Sequence, residues 1–130
     1  MIAYVTLGAR DLDQGVAFYD AVLEPVGFRR FARHDGFVAY GPDGRSEGQT
    51  IWVCRPFDGH EARGGNGVML ALDGADHAAV DAFHAAAMAH GASDEGGPGL
   101  REHYGPNWYA AYVRDPTGNK LACVCNKPQA

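Results

Sequence analysis

Apolar and polar residues alternate along this chain in several short runs, and twice they recur at helical spacing. Ile2 to Leu7 is a β-rich run that sends Ala3, Val5 and Leu7 to one face and Ile2, Tyr4 and Thr6 to the other. Both faces are expected to be covered. Asp11 or Asp13 can cap a helix running to about Val26, whose stripe is Val16, Tyr19, Val22, Leu23 and Val26, with Gly27 as its stop. Phe28 to Ala32 and Gly36 to Tyr40 read as a hairpin, Gly41-Pro42-Asp43-Gly44 as a turn, and Thr50 to Cys54 as a strand. The order is β, α, β, β, β.

From Arg55 to Gly67 the pattern breaks into Gly, Pro and charge, which predicts a flexible linker ending in Gly64-Gly65-Asn66-Gly67. Val68 to Leu72 is the next strand. Asp73 to Asp76 offers caps for an alanine-rich helix that ends at His90 before Gly91 and buries Val80, Phe83, Ala87 and Met88. Ser93 to Pro98 reads as a flexible stretch and Leu100 to Pro106 as a loop. Trp108 to Val113 and Lys120 to Cys125 then flank Asp115-Pro116-Thr117-Gly118-Asn119, where Pro116 presets one turn dihedral and Gly118 or Asn119 supplies a positive φ.

The two halves share one plan: strand, helix stopped by glycine, Pro-x-Gly turn, last strand. A duplicated βαβββ unit in a single domain, residues 1–130, follows: first module about 1–54, linker 55–67, second module about 68–126. The fold class is α+β. Two such modules would form an open eight-stranded cup with the helices outside, and a cup encloses a site.

Composition narrows the function classes. A chain of 130 residues with 46% hydrophobic and 21% charged positions is ordinary for a globular domain. Its formal charge of -5 offers no long-range attraction to nucleic acid or anionic lipid, so neither is an expected partner. Three cysteines, with Cys123 and Cys125 on one face of a strand, make no disulfide framework and point to the cytoplasm. No apolar run approaches the roughly 18 residues that cross a bilayer, and Met1-Ile2-Ala3-Tyr4 lacks the basic start of an export signal.

Tyr4-Val-Thr-Leu-Gly8, Phe18-Tyr-Asp-Ala-Val-Leu23, Val80-Asp-Ala-Phe-His84 and Val113-Arg-Asp-Pro-Thr-Gly-Asn-Lys-Leu121 together resemble the glyoxalase, bleomycin-resistance and extradiol-dioxygenase superfamily. That is the vicinal oxygen chelate fold. The resemblance implies a divalent metal on the cup floor, held by His or Glu from the first and last strands of each module. At those positions stand Tyr4, Met69 and Ala122, with the fourth at Trp52 or Cys54. A divalent ion needs several imidazole or carboxylate donors at about 2.0–2.3 Å, and alanine has none, so no metal is expected there. The remaining lining of Tyr4, Trp52, Cys54, Met69 and Ala122 suits an apolar or aromatic small molecule.

Six histidines invite a relocated metal site. His77 and His84 share a face of the second helix without a ligand-type neighbour one turn away, His90 suits a helix end, and His34 and His60 fall in turns. His103 differs. Leu100 to Tyr109 gathers Arg101, Glu102, His103, Tyr104, Trp108 and Tyr109 in one loop, so Arg101 would meet an anionic group, His103 a transferable proton and Tyr109 a ligand ring. The other reading has Tyr104 and Trp108 anchor the loop while Arg101 pairs with an acid. Cys123 and Cys125 should face the second helix if Ala122 faces the cup.

Two functions compete. One is a metal-free binding protein of the drug-sequestering kind, with a small-molecule ligand and a possible homodimer. The other is a glyoxalase-like lyase or dioxygenase that uses a displaced divalent metal or acid–base work by Tyr4 and His103. A third, a scaffold with a vestigial cup, has no positive sign in the residues.

Overall fold

Two aspartates start the two helices in the same way. Asp11 and Asp76 hold extended backbone, and their carboxylates accept from the N–H of Gln14 and Ala79, which satisfies a donor that the first helical turn leaves open. Gly27 and Gly91, at φ of 80° and 94°, close the same segments in the left-handed conformation. The computed structural model, which describes residues 1–129, is therefore built as two copies of one plan. The first is β1 (Tyr4–Gly8), α1 (Leu12–Leu23) with a short 3-10 turn (Glu24–Val26), β2 (Phe28–His34), β3 (Phe37–Pro42) and β4 (Thr50–Cys54). The second is β5 (Met69–Asp73), α2 (His77–Ala89), β6 (Ser93–Leu100), β7 (Trp108–Arg114) and β8 (Lys120–Asn126). Among the described residues no helix is long and apolar enough to cross a membrane.

Each copy folds into a four-stranded mixed sheet, in the orders β1-β4-β3-β2 and β5-β8-β7-β6. The helical crossover makes β1 parallel to β4 and β5 parallel to β8, while the tight turns make the other pairs antiparallel. The two sheets share no hydrogen-bonded strand pair. Instead α1 and α2 pack on one another, and a single core joins Phe18, Tyr19, Val22 and Leu23 to Val80, Phe83 and Ala87, with Val53, Val113 and Leu121 from the sheets. Cys123 and Cys125 lie in that core, on the helix side of β8.

Four expectations need correction. Ser93–Pro98 is strand, not a flexible stretch: β6 is an edge that needs only β7 as partner, and its bulges at Asp94/Gly96 and Gly96/Gly99 absorb the glycines. Met88 is 42% exposed, because α2 turns only Val80, Phe83 and Ala87 fully inward. The first strand is covered on one side only. Val5 and Leu7 meet the core, whereas Tyr4 and Thr6 are exposed, since each sheet has helices against one face. The linker Arg55–Gly67 is irregular but pinned: Ala62 is buried against Gly8, and Gly64 runs so near Gly118 that an added Cβ would lie 2.1 Å from its carbonyl oxygen.

The β7–β8 turn ties the modules together. Asp115 is buried, and its Oδ1 accepts from the N–H groups of Thr117, Gly118 and Asn119 at 3.0, 2.9 and 2.8 Å. Its Oδ2 accepts from Asn119 Nδ2 and from the hydroxyl of Tyr19 on α1. Asn119 Nδ2 also donates to Gly8 O, and the Arg10 guanidinium donates to Pro116 O and Thr117 O. Gly118, at φ of 108°, supplies the left-handed residue that the turn needs. Asp115 Oδ2, Asn119 Nδ2 and the carbonyls of Pro116 and Thr117 thus tie the turn to the junction of β1 with α1.

Candidate functional site

Strand alternation decides which side chains reach the open face of the first sheet. Tyr4 stands opposite Thr50, Thr6 opposite Trp52, and Cys54 opposite Phe37. These six residues line a recess of about 460 Å³. Trp52 is its centre: the ring centroids of Phe37, Phe31 and Tyr4 lie 5.2, 5.9 and 6.4 Å away, the last two edge-on. Trp52 Nε1 donates to Thr50 Oγ1 at 2.9 Å, which fixes the indole and spends its one polar hydrogen inside the protein. The surface left for a ligand is largely aromatic, with the hydroxyls of Tyr4, Thr6 and Thr50 at its margins.

The second sheet carries Met69 and Ala122. Met69 is 43% exposed, whereas Ala122 is fully buried between Ala71 and Tyr112 of the adjoining strands. Tyr4, Trp52 and Cys54 thus stand on one sheet and Met69 and Ala122 on the other, and the recess around Trp52 is lined by the first module alone. Helices and the β7–β8 turn join the modules, and β1 and β5 border a separate hollow lined by Val5, Thr50, Leu70 and Ala71.

The Leu100–Tyr109 segment divides in the same way. Arg101 donates to Gly97 O and Gly99 O at 2.7 and 2.9 Å and lies 5.5 Å over the ring of Tyr112, so it braces the glycine-rich β6. An added Cβ at Gly96 or Gly99 would lie 3.1 or 3.2 Å from that guanidinium, which gives those glycines a packing reason. His103 sits against Tyr104, and Tyr104 in turn meets Trp108 edge-on. Tyr109 is a correction: it pairs with Cys125 and points to the helix side, stacked on His77 at 3.8 Å with its hydroxyl donating to Asp81. Period-two alternation from Tyr112 already places it there.

Phe31, Phe37, Thr6 and Thr50 were not singled out from the sequence. The two-residue turn Asp35-Gly36 sets the β2–β3 register and pairs Phe37 with His34, whereas its place beside Cys54 depends on the separate β3–β4 register. As for a metal, Tyr4 offers a phenol, Met69 a thioether and Ala122 nothing. Among the described residues no three His, Cys, Asp or Glu side chains gather as a metal group. That donor set does not fit a hard or borderline divalent ion.

Cys54 is half-buried at the edge of the recess, and burial pushes its thiol up. Burial, aided by Asp73 and Cys125, pushes Cys123 up to about 12. A raised thiol pKa leaves less thiolate at any given pH, so iodoacetamide should alkylate the native protein at Cys54 alone, slower than free cysteine at pH 8 and still accelerating above pH 9. Intact-protein mass spectrometry with peptide mapping checks this; native labelling at Cys123 or Cys125 would contradict the burial argument.

Comparison with known proteins follows the same lines. A family model described as the Glyoxalase/Bleomycin resistance protein/Dioxygenase superfamily matches residues 1–123. Among solved structures, a glyoxalase/bleomycin resistance protein from Albidiferax ferrireducens T118 is 34% identical, with a TM-score of 0.85 over 98% of this chain and 99% of that one. A glyoxalase/bleomycin resistance protein/dioxygenase family enzyme from Burkholderia phytofirmans PsJN (23% identical, TM-score 0.73, 96% and 98% covered) shares the fold. So does a lactoylglutathione lyase from Agrobacterium tumefaciens (23%, TM-score 0.63, 95% and 92%). No protein with a curated function matches.

Proposed function

Because this chain belongs to the glyoxalase/bleomycin resistance protein/dioxygenase superfamily, we propose that it is a metal-free binding member, which holds an apolar or aromatic small molecule over the open face of its first sheet. The observation that carries this reading is the ring of Tyr4, Phe31 and Phe37 around a fixed Trp52, and the family resemblance supports it by placing Tyr4, Met69, Ala122 and either Trp52 or Cys54 where chelating residues would stand. Aromatic side chains bury much area at little entropic cost, and edge-to-face contacts add to it. The site recognises a ring; it offers no set of groups with which to polarise one.

The reading includes a homodimer, supported by the exposed apolar side chains of Tyr4 on one sheet and Met69 on the other, and a cytoplasmic location, supported by three free cysteines. Nucleic acid and membranes are not partners of a chain with a charge of -5 and no basic cluster. The competing lyase or dioxygenase reading has less support, because Tyr4 and His103 belong to different modules and the described residues gather no metal group.

Binding of 2-naphthamide, followed by quenching of tryptophan fluorescence and by thermal shift, tests the proposal. Ten ring carbons at about 0.6–0.8 kcal/mol each correspond to a Kd of roughly 1–40 µM. The expected result is saturable quenching in that range with a raised Tm. No binding by any neutral bicyclic aromatic, or stoichiometric metal retained after dialysis from Zn, Mn, Ni or Fe, would overturn it.

A further inference from the structure

The recess around Trp52 continues past Cys54. Thr6 and Cys54 also line a second hollow of about 630 Å³, whose far wall is the linker segment from Arg55 to Arg63. The charges on that wall are Arg55, Asp58, His60, Glu61 and Arg63, and their pairing is uneven. Asp58 accepts from the His60 N–H at 3.0 Å and lies 3.2 Å from His60 Nδ1, contacts that hold its carboxyl below the usual range. Glu61 faces Arg10 at 3.4 Å. Both acids are engaged, whereas neither Arg55 nor Arg63 has a side-chain hydrogen bond or ion-pair partner among the described residues. Arg55 and Arg63 are therefore the charged side chains of this wall whose donors remain open to a ligand, in a chain that is negative as a whole.

These arginines also hang from an anchored backbone. The Arg55 N–H donates to Gly36 O at 2.9 Å, and Pro56 O accepts from Gly59 in a tight turn. Ala62 is buried against Gly8, and Gly64 abuts the β7–β8 turn next to Arg63. The linker wall is thus held in place before any ligand arrives, which lowers the ordering cost of an ion contact. A guanidinium presents planar paired donors matched to an oxyanion.

Resting on the binding reading above, we infer that the ligand is an aromatic acid: its ring lies against Trp52 and its anionic group reaches Arg55 and Arg63 across Cys54. Shape and hydrogen-bonding capacity agree on this arrangement, because the apolar recess and the hollow with the two unpaired arginines share the Thr6–Cys54 wall. A neutral ring would fill only the first of the two.

The test compares 2-naphthoate with the neutral 2-naphthamide on the full chain at low salt. It uses wild type, the double variant Arg55→Gln/Arg63→Gln, and the charge-matched control Arg29→Gln/Arg45→Gln, with Tm and circular dichroism verifying the fold of each. Wild type and control should bind naphthoate at least about tenfold more tightly than naphthamide, and the Arg55/Arg63 variant should lose that preference while keeping its naphthamide affinity. Equal binding of the two probes by wild type, or a preference that survives in the Arg55/Arg63 variant, overturns the inference and leaves the aromatic site standing. Binding of neither probe overturns both.

Discussion

Asp115→Ala is expected to cost about 3–5 kcal/mol, enough to take most of the stability of a domain whose total is about 5–15 kcal/mol. The carboxylate is buried and accepts three backbone N–H groups, one side-chain amide and the Tyr19 hydroxyl. Alanine would leave the N–H groups of Thr117 and Asn119 and the Tyr19 hydroxyl without this acceptor in a buried to half-buried turn, while Gly118 N–H and Asn119 Nδ2 keep the carbonyls of Asp115 and Gly8, and each buried orphan costs about 1–3 kcal/mol. Burial and the neighbouring Asp115 hold the Tyr19 phenol well above its usual range, so it remains a donor throughout the accessible pH range. Tyr19→Phe removes a single donor to a carboxylate that keeps its others, and should cost about 1–2 kcal/mol. Urea unfolding of the two variants measures the ratio. No loss in Tyr19→Phe would mean that Asp115 serves only the second module and does not clasp it to α1.

Trp52→Ala should weaken 2-naphthamide binding about 30–150-fold, the equivalent of roughly 2–3 kcal/mol. Truncation removes the indole against which Tyr4, Phe31 and Phe37 all pack, so the neighbouring rings lose their common support as well. Thr50→Val keeps the ring but deletes the acceptor that orients it, and should cost less than tenfold. Isothermal titration suits this pair, since the variant has lost the fluorophore of the site. Wild-type affinity in Trp52→Ala would move the binding site away from the first sheet.

Much of this architecture can be read from local chemistry. Asp11 and Asp76 cap, Gly27 and Gly91 stop, and Asp115 to Asn119 turns, each through contacts within a few residues. Alternation likewise sends Cys123 and Cys125 to the helix side, where they are found. β6 escaped detection because glycine and proline weaken the strand signal, while its real supports are β7 and the returning Arg101, both set by tertiary contact. Tyr109 was grouped with a loop by its neighbours in sequence, although strand period alone assigns it to α2.

By itself the sequence determined two βαβββ modules, their caps and turns, and that Tyr4, Met69 and Ala122 carry neither imidazole nor carboxylate, because those properties depend on residue type and on spacing of a few positions. Only the tertiary structure decided which walls meet. The helices and the Asp115 turn join the modules, so Trp52 is surrounded by Tyr4, Phe31 and Phe37 of its own sheet and continues into the arginines of the linker. Tyr4 and Phe31 lie far from Trp52 along the chain, and long-range packing and strand register, which no local pattern encodes, bring them together.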